Sequence, residues 1–460
     1  MELLEGLKND LIVAVGSANL STSLEERERA SRDETHEMEP VQPQAVVFVH
    51  SHDDVVKIAQ VCAKHRTSMT PRGAGSGKSG GCVPVQGGVV IDFSKMNRIL
   101  SVNEADLTAT VEAGVILGTF QEHVSRLGLY YPPDPASLDW CTLGGNVAEN
   151  AGGPSAVKYG VTKDYVLGLR IVLSDGRHFR IGKQTIKGVT GLDLVSLMCG
   201  SEGLLAFVTE ITLKLLAKPE HVQTALCRFA NRSEAIAGAI KIRQSVPSLK
   251  CLELIDSTSL QALLKMGVPG MRDFNADSLL LVEVDGADQD EVLDAMLKID
   301  ALLKSEAYLG TLVAKDEAEK RHMWDMRRKL SAATKRFMKY KISEDIVVPL
   351  SQLNTFLQEM DDLGSRYEVR ICAFGHVGDG NLHIQIMYDD EAAKERMPAL
   401  LEELFKATVR VGGTLTGEHG IGYAKKDYLA LEQEQDLIEL QRQLKAAFDS
   451  LGLLNPGKFI

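Results

Sequence analysis

The feature that most restricts what this chain can fold into is the placement of its glycines. Between residues 45 and 218, short apolar runs (AVVFV, GGVVIDF, LTATVEAGV, LGLRIVL, FVTEITLKLL) alternate with glycine-dense turns at 71–81, 142–153, 174–176 and 188–203. With the amphipathic stretch from Asp53 to Lys64, this reads as an α+β pattern. Glycine at so many turns, irregularly spaced, implies special backbone angles or close approach of a ligand to the main chain.

After Lys218-Pro219 the character changes. Helical periodicity (SEAIAGAIKIRQS, DEVLDAMLKIDALLKS) interleaves with strands such as LELID and LLLVEV, so a second domain is expected to begin near residue 219. An amphipathic helix follows over 392–410, a terminal helix over 429–451, and the chain ends LGLLNPGKFI. At 460 residues the chain exceeds the roughly 100 to 200 residues of a usual domain. The expected division is 1–218, 219–425 and 426–460, with no internal repeat.

Acidic residues outnumber basic ones, 63 to 51, for a net charge of −12 without a long Lys/Arg block. That excludes a phosphate-tracking nucleic-acid groove and disfavours anionic membranes. No apolar run reaches the roughly 18 residues of a transmembrane segment. The start, MELLEGLKND, is acidic where a signal peptide is basic, so a cytoplasmic location is expected. Seven cysteines lie far apart with no CxxC, against a disulfide framework, a zinc ribbon or an iron–sulfur cluster.

The segment PRGAGSGKSGG (Pro71 to Gly81) invites two nucleotide-binding labels. A Walker A loop ending in Gly77-Lys78-Ser79 requires glycine at position 72, which is Arg72. A dinucleotide fingerprint can be forced onto Gly75, Gly77 and Gly80, but it should open a helix, and GCVPVQGGVVIDF reads as a turn into a strand. What remains is a run of unobstructed backbone N–H groups that suits a phosphate nest, with Arg72 and Lys78 adding charge. A plain glycine-rich surface loop is the alternative.

Three further segments accompany that loop: PPDPASLDWCTLGGNVAENAGGP (132–154), KYGVTKDYVLGLRIVLSDG (158–176) and GLDLVSLMCGSEGLLAFVTEITLKL (191–215). Together they closely resemble the FAD-linked oxidases of the vanillyl-alcohol-oxidase fold. The branch is that of the glycolate oxidase flavin subunit, D-lactate dehydrogenases and D-2-hydroxyglutarate dehydrogenase. The match runs in order from about residue 30 to the end. It implies a two-part FAD-binding domain and an α+β substrate (cap) domain with an antiparallel sheet. By that resemblance Pro71, Arg72, Gly73, Ala74, Gly75, Ser76 and Gly77 wrap the FAD diphosphate. Pro133, Asp134, Thr142, Gly144, Gly145, Asn146, Asn150 and Gly152 line the path of the rest of the cofactor, helped by Glu202 and Val208. The terminal LNPGKFI returns to the FAD domain and brings Asn455 near the flavin. The first glycine loop has no histidine and Cys141 is the only thiol near the second, so FAD is expected to be held non-covalently.

A second cluster is FGHVGDGNLHIQIMY (374–388). Asp379-Gly380 reads as a two-residue hairpin turn, and around it position 376 pairs with position 383, so that His376 and His383 face each other at a separation suited to a shared metal. TGEHGIGY (416–423) offers Glu418 as a third ligand, with His419 beside it. The resemblance sharpens this: relatives bind a divalent metal, commonly zinc, with manganese or iron the alternatives, through the residues matching His376, His383 and Glu418. The residue matching His419 is their base.

In WDMRRKLSAATKR the position matching the family's carboxylate-binding arginine is Arg327, with Arg328 its rival. Where 2-hydroxyglutarate enzymes carry a lysine shortly before Leu-Pro, this chain has Ser343. The expected function is therefore FAD-dependent, metal-assisted oxidation of a small D-2-hydroxy acid, with D-lactate or glycolate favoured. D-2-hydroxyglutarate is the alternative, and a P-loop-like nucleotide-binding protein or a flavin-binding subunit without its own chemistry are the rivals from other classes. Electrons would pass to an iron–sulfur subunit, an electron-transfer flavoprotein, a quinone or a cytochrome. Oligomeric state is not set by the sequence, and a homodimer is compatible with it.

Overall fold

The structure, a computed structural model, describes residues 3–35, 38–269 and 275–460. A small sheet comes first: β1 (Leu20–Ser21), β2 (Ala45–Phe48), β3 (Met69–Arg72) and β4 (Val89–Asp92), in the spatial order β1-β2-β4-β3. β2 and β3 both run parallel to β4. β2 and β4 are almost wholly buried, which is why AVVF and VVID read as unbroken apolar runs. The helix His52–Lys64 links β2 to β3; Ser51 caps it by accepting the Asp54 N–H at 3.2 Å, and Val55, Ile58, Ala59 and Cys62 form its buried stripe.

Next come β5 (Ile99–Asn103), β6 (Thr108–Glu112), the short β7 (Leu129–Tyr130), β8 (Val166–Val172), β9 (His178–Gly182), β10 (Phe207–Lys214) and the short β11 (Leu216–Ala217). Five of them make an antiparallel sheet ordered β5-β6-β10-β8-β9, while β7 pairs with β11. β10 alternates buried and half-buried residues along its length, as expected of a strand with one covered face.

The second half is built on seven antiparallel strands: β12 (His221–Phe229), β13 (Leu249–Ile255), β14 (Ser278–Gly286), β15 (Tyr308–Val313), β16 (Tyr340–Val347), β17 (Arg370–Gly375) and β18 (Asn381–Tyr388). Their spatial order is β15-β12-β14-β13-β17-β18-β16. One face packs against the helices Arg232–Ser245, Gln289–Leu303, Leu353–Tyr367 and Met397–Arg410, and the other against Ser257–Met266, Glu317–Arg328 and Leu330–Phe337. A sheet covered on both faces accounts for strands such as SLLLVEVDG, buried along nearly their whole length.

The expected single terminal helix is two, Leu429–Glu432 and Gln435–Phe448, because Gln433 turns extended and Glu434 starts a new N-terminus. Beyond it the chain returns to the small sheet: the Met69 N–H donates to Leu453 O at 2.7 Å and the Asn455 N–H to Met69 O at 2.6 Å, continuing the ladder beside β3. Among the described residues no helix is long and apolar enough to cross a membrane.

Candidate active site

The glycine loops of the first half and the seven-stranded sheet of the second enclose one cavity of about 910 Å³. After β3 the chain runs from Gly73 through turns and bends into β4 with no helix between, so neither a Walker A nor a dinucleotide-fold loop is formed. Gly73 lies so close to Thr142 that a Cβ would sit 2.3 Å from its Oγ1, and Gly75 has φ of +81°, where a side chain would also strike Arg72. Among the described residues, the N–H groups of Ala74, Gly75, Ser76 and Gly77 donate no backbone hydrogen bond. Asn146 Nδ2 and Arg72 Nε, on residues lining the same cavity, are buried without partners. Unpaired donors on a loop that side chains have vacated are the chemistry a diphosphate requires.

On the sheet side, His383 lies on β18 opposite Asp345 of β16 and Phe374 of β17. The expected direct pairing of His376 with His383 is thus two residues out of register. The turn spans His376 to Gly380, closing on the His376 carbonyl, which accepts the Asp379 and Asn381 N–H groups at 3.2 and 3.1 Å. An even shift keeps the same face, so the two imidazoles become diagonal neighbours with ring centroids 5.2 Å apart. One nitrogen from each and a Glu418 oxygen all lie within 4.8 Å of one another. Glu253 holds the remaining nitrogen of His376, Nδ1, at 2.5 Å. Two imidazoles and a carboxylate, with a further carboxylate behind one imidazole, form a donor set that zinc or a similar divalent cation fits.

The loop bearing Glu418 and His419 hangs on buried carboxylates. Asp345 Oδ2 accepts the N–H groups of Gly417, Glu418 and His419 at 2.9, 2.6 and 3.0 Å. Burial would raise the Asp345 pKa, but His419, His383 and Lys425 more than reverse this and hold it well below the usual carboxylate range. The His419 ring stacks on His383 at 6.0 Å. Burial, helped by Lys78 and Lys425 and opposed by Asp345, lowers the His419 pKa to about 4 and leaves the imidazole neutral.

Two family models match the chain: "FAD binding domain" over residues 43–182 and "FAD linked oxidases, C-terminal domain" over residues 218–459. The glycolate oxidase subunit GlcD of Bacillus subtilis (strain 168) is 38% identical, over 98% of this chain and 96% of that protein. The chain belongs to the FAD-linked oxidase family. The D-lactate dehydrogenase of Anaerostipes hadrus is 32% identical over 90% of this chain and 89% of its own length. For the D-2-hydroxyglutarate dehydrogenase of Stutzerimonas stutzeri (strain A1501) the figures are 31%, 98% and 98%. p-Cresol methylhydroxylase superposes with a TM-score of 0.81 at 16% identity, covering 98% of this chain and 96% of that one, which confirms the vanillyl-alcohol-oxidase type of fold.

Most residues expected to hold the cofactor of this FAD-linked oxidase line the cavity: Pro71 to Gly77, Asp134, Thr142, Gly144, Gly145, Asn146, Gly152, Glu202 and Val208. Three do not. The Pro133 carbonyl accepts from Gln121 at 2.8 Å, Asn150 ends a helix in the left-handed conformation with its side chain accepting the Lys163 N–H, and Asn455 ties Gly81 O to Glu202 O from behind. Cys141 does not line the cavity either; it packs in the core with Val115 and Leu143, and burial pushes its thiol up to about 11. Both arginines line the cavity, but Arg328 is mostly exposed and paired with Asp325, whereas Arg327 is half-buried against Phe374 and donates from Nε to Glu253 at 2.5 Å.

Sequence reasoning missed Glu253, Glu283 and Asp345. Glu253 and Glu283 are acidic residues inside largely apolar strands, a pattern that itself signals a buried, partnered charge, whereas Asp345 lies in the mixed strand YKISEDIV, where no such signal stands out. Glu283 accepts from Lys250, Thr224 and Trp324, and so fixes the wall of the cavity beside Arg327.

Proposed function

We propose that this FAD-linked oxidase oxidises a small D-2-hydroxy acid, D-lactate or glycolate before D-2-hydroxyglutarate, to its 2-oxo acid. The observation that carries the reading is the convergence on one cavity of the FAD loops, the His376–His383–Glu418 donor set, His419 and Arg327. Bound FAD, held without a covalent link, supplies the hydride acceptor at N5, and a divalent metal, zinc foremost, supplies Lewis acidity at the substrate hydroxyl.

The chain's own residues do the rest. His376, His383 and Glu418 hold the metal. Arg327 receives the substrate carboxylate, its terminal nitrogens offering a fork while Nε stays on Glu253, and this selects which face of C2 meets the flavin. His419, a neutral imidazole, takes the hydroxyl proton, and Asp345 aligns the loop that carries it. Ser343 donates to Gln385 at 2.6 Å, which makes this part of the cavity wall polar but uncharged and supports a monocarboxylate. Electrons then leave to a separate acceptor, an iron–sulfur subunit, an electron-transfer flavoprotein or a quinone; relatives named as a subunit of glycolate oxidase support a partner protein.

An anaerobic visible spectrum with and without D-lactate tests the reading, with glycolate, L-lactate and D-2-hydroxyglutarate alongside. Bleaching of the flavin bands by D-lactate or glycolate is expected. Flavin that no 2-hydroxy acid reduces would discard the proposal.

A further inference from the structure

Glu253 stands in the middle of β13 with its side chain completely buried. Its two oxygens serve two different groups. Oε1 accepts from His376 Nδ1 at 2.5 Å, and Oε2 accepts from Arg327 Nε at 2.5 Å. The far nitrogen of His376, Nε2, points at Glu418 Oε1, 3.5 Å away. Arg327 lies with its guanidinium 5.1 Å from the centre of the Phe374 ring, which together with Glu253 leaves it little freedom to turn. Apart from that contact of His376 with Glu418, no other hydrogen bond among the described residues holds the His376 ring or the Arg327 guanidinium in place.

One carboxylate therefore determines two orientations. By accepting at Nδ1 it fixes the tautomer of His376 that leaves the Nε2 lone pair free for a cation. By accepting at Nε it turns the paired terminal nitrogens of Arg327 away from itself, in the fork arrangement that suits a carboxylate. Strand β13 is the central strand of the seven, so both groups are referred to one carboxylate in the middle of the sheet.

We propose that Glu253 is the positioning residue that couples the metal donor set to the substrate-binding guanidinium. It sets the gap between them so that hydroxyl and carboxylate on adjacent carbons are held at once. The inference rests on the roles given to His376 and Arg327 under the proposed function. It adds that neither group keeps its affinity when Glu253 is changed.

The test uses the full-length, FAD-loaded protein and two probes: zinc affinity by competition with a chelator, and oxalate, a planar dianion that cannot give up a hydride, followed by perturbation of the flavin band. Oxalate is titrated at saturating zinc, and His376→Ala and Arg327→Met serve as separate controls, expected to weaken zinc alone and oxalate with zinc retained, respectively. Glu253→Gln presents an N–H where one of the two donors needs an acceptor. It is expected to weaken zinc by about 10- to 100-fold, the usual effect of losing such a partner, and oxalate by about tenfold or more. With D-lactate or glycolate as substrate, KM should rise by a larger factor than kcat falls. Glu253→Asp keeps the buried charge but is one methylene too short to hold both groups at their present separation, so it should weaken zinc and oxalate together, and it carries the test if the Gln variant does not fold. Zinc and oxalate binding within twofold of wild type in both variants, with both controls behaving as expected, would overturn the coupling and leave the functional reading intact. Loss of zinc affinity alone in Glu253→Gln would also overturn it. Controls that leave both probes unchanged would bring down the functional reading, and the role of Glu253 with it.

Discussion

Asp345 and Glu202 hold the same loop from its two sides. The Asp345 carboxylate, on the seven-stranded sheet, accepts the N–H groups of Gly417, Glu418 and His419, and the Glu202 carboxylate, from the first half of the chain, accepts those of Ile421 and Gly422 at 2.8 and 2.6 Å. A glycine-rich hexapeptide that carries two of the proposed functional side chains is thereby suspended between two buried carboxyl groups, Asp345 held well below the usual carboxylate range and Glu202 pushed up to about 7 by burial. Its geometry depends on both halves of the chain at once, and so does the geometry of Glu418 and His419.

Asp345→Asn removes the anion from one end of this suspension and puts an amide in its place. Three N–H groups then share a weaker acceptor, and His383 and His419 lose the charge beside them. Unfolding in guanidinium should show a loss of about 3–5 kcal/mol, typical of breaking a buried charged network. A variant as stable as the parent would mean that the loop holds its shape without Asp345.

His419→Ala should leave the flavin spectrum intact, because among the described residues no hydrogen bond ties its side chain to the loop Pro71 to Gly77. Stopped-flow reduction by D-lactate or glycolate should slow by about 10²- to 10⁴-fold, the contribution expected of a positioned base. Reduction at the parent rate would assign the proton transfer to another group.

How much of this was legible in the sequence depended on the range of the interactions concerned. The glycine loop at 71–81 was readable because its chemistry is local: main-chain donors, absent side chains and a following strand are all written within twenty residues. His376 and His383 were placed on one face because strand parity survives a two-residue error in register, although the turn itself closed differently, on the His376 carbonyl. Glu253 and Asp345 escaped notice because what makes them functional is a partner more than 70 residues away in each case: Glu253 meets Arg327 and His376, and Asp345 meets the 417–419 amides. Local pattern can say that a charge in an apolar strand needs a partner, but not which one.

Ser343→Lys tests the part of the cavity wall that Ser343 and Gln385 keep uncharged. An ammonium group there would offer a charge-assisted bond to a second carboxylate, an effect of about 1.5–3 kcal/mol. KM for D-2-hydroxyglutarate should fall by roughly tenfold or more on that scale, with a much smaller change for glycolate. Equal changes for both acids would show that this wall does not contact the end of the substrate distant from C2.

A pH-sensitive group lies away from the cavity. His52, at the start of the helix His52–Lys64, hydrogen-bonds through Nδ1 to Thr209 at 2.9 Å and packs edge-on against His178, while its Nε2 is buried without a partner. Burial, with the charges of Arg170 and His178, lowers its pKa from 6.5 to about 4, against the smaller opposing pull of Glu210 and Asp53. Between those two values the unfolded chain binds the proton that the folded chain refuses. The contribution of neutral His52 to stability is therefore complete above pH 6.5 and is lost as the pH falls toward 4. Urea unfolding of the parent and of His52→Gln, at about pH 7.5 and about pH 5, separates this group from every other carboxylate and histidine in the chain. The parent should lose more stability between the two conditions than the variant does, and an identical loss in both would place the acid sensitivity elsewhere.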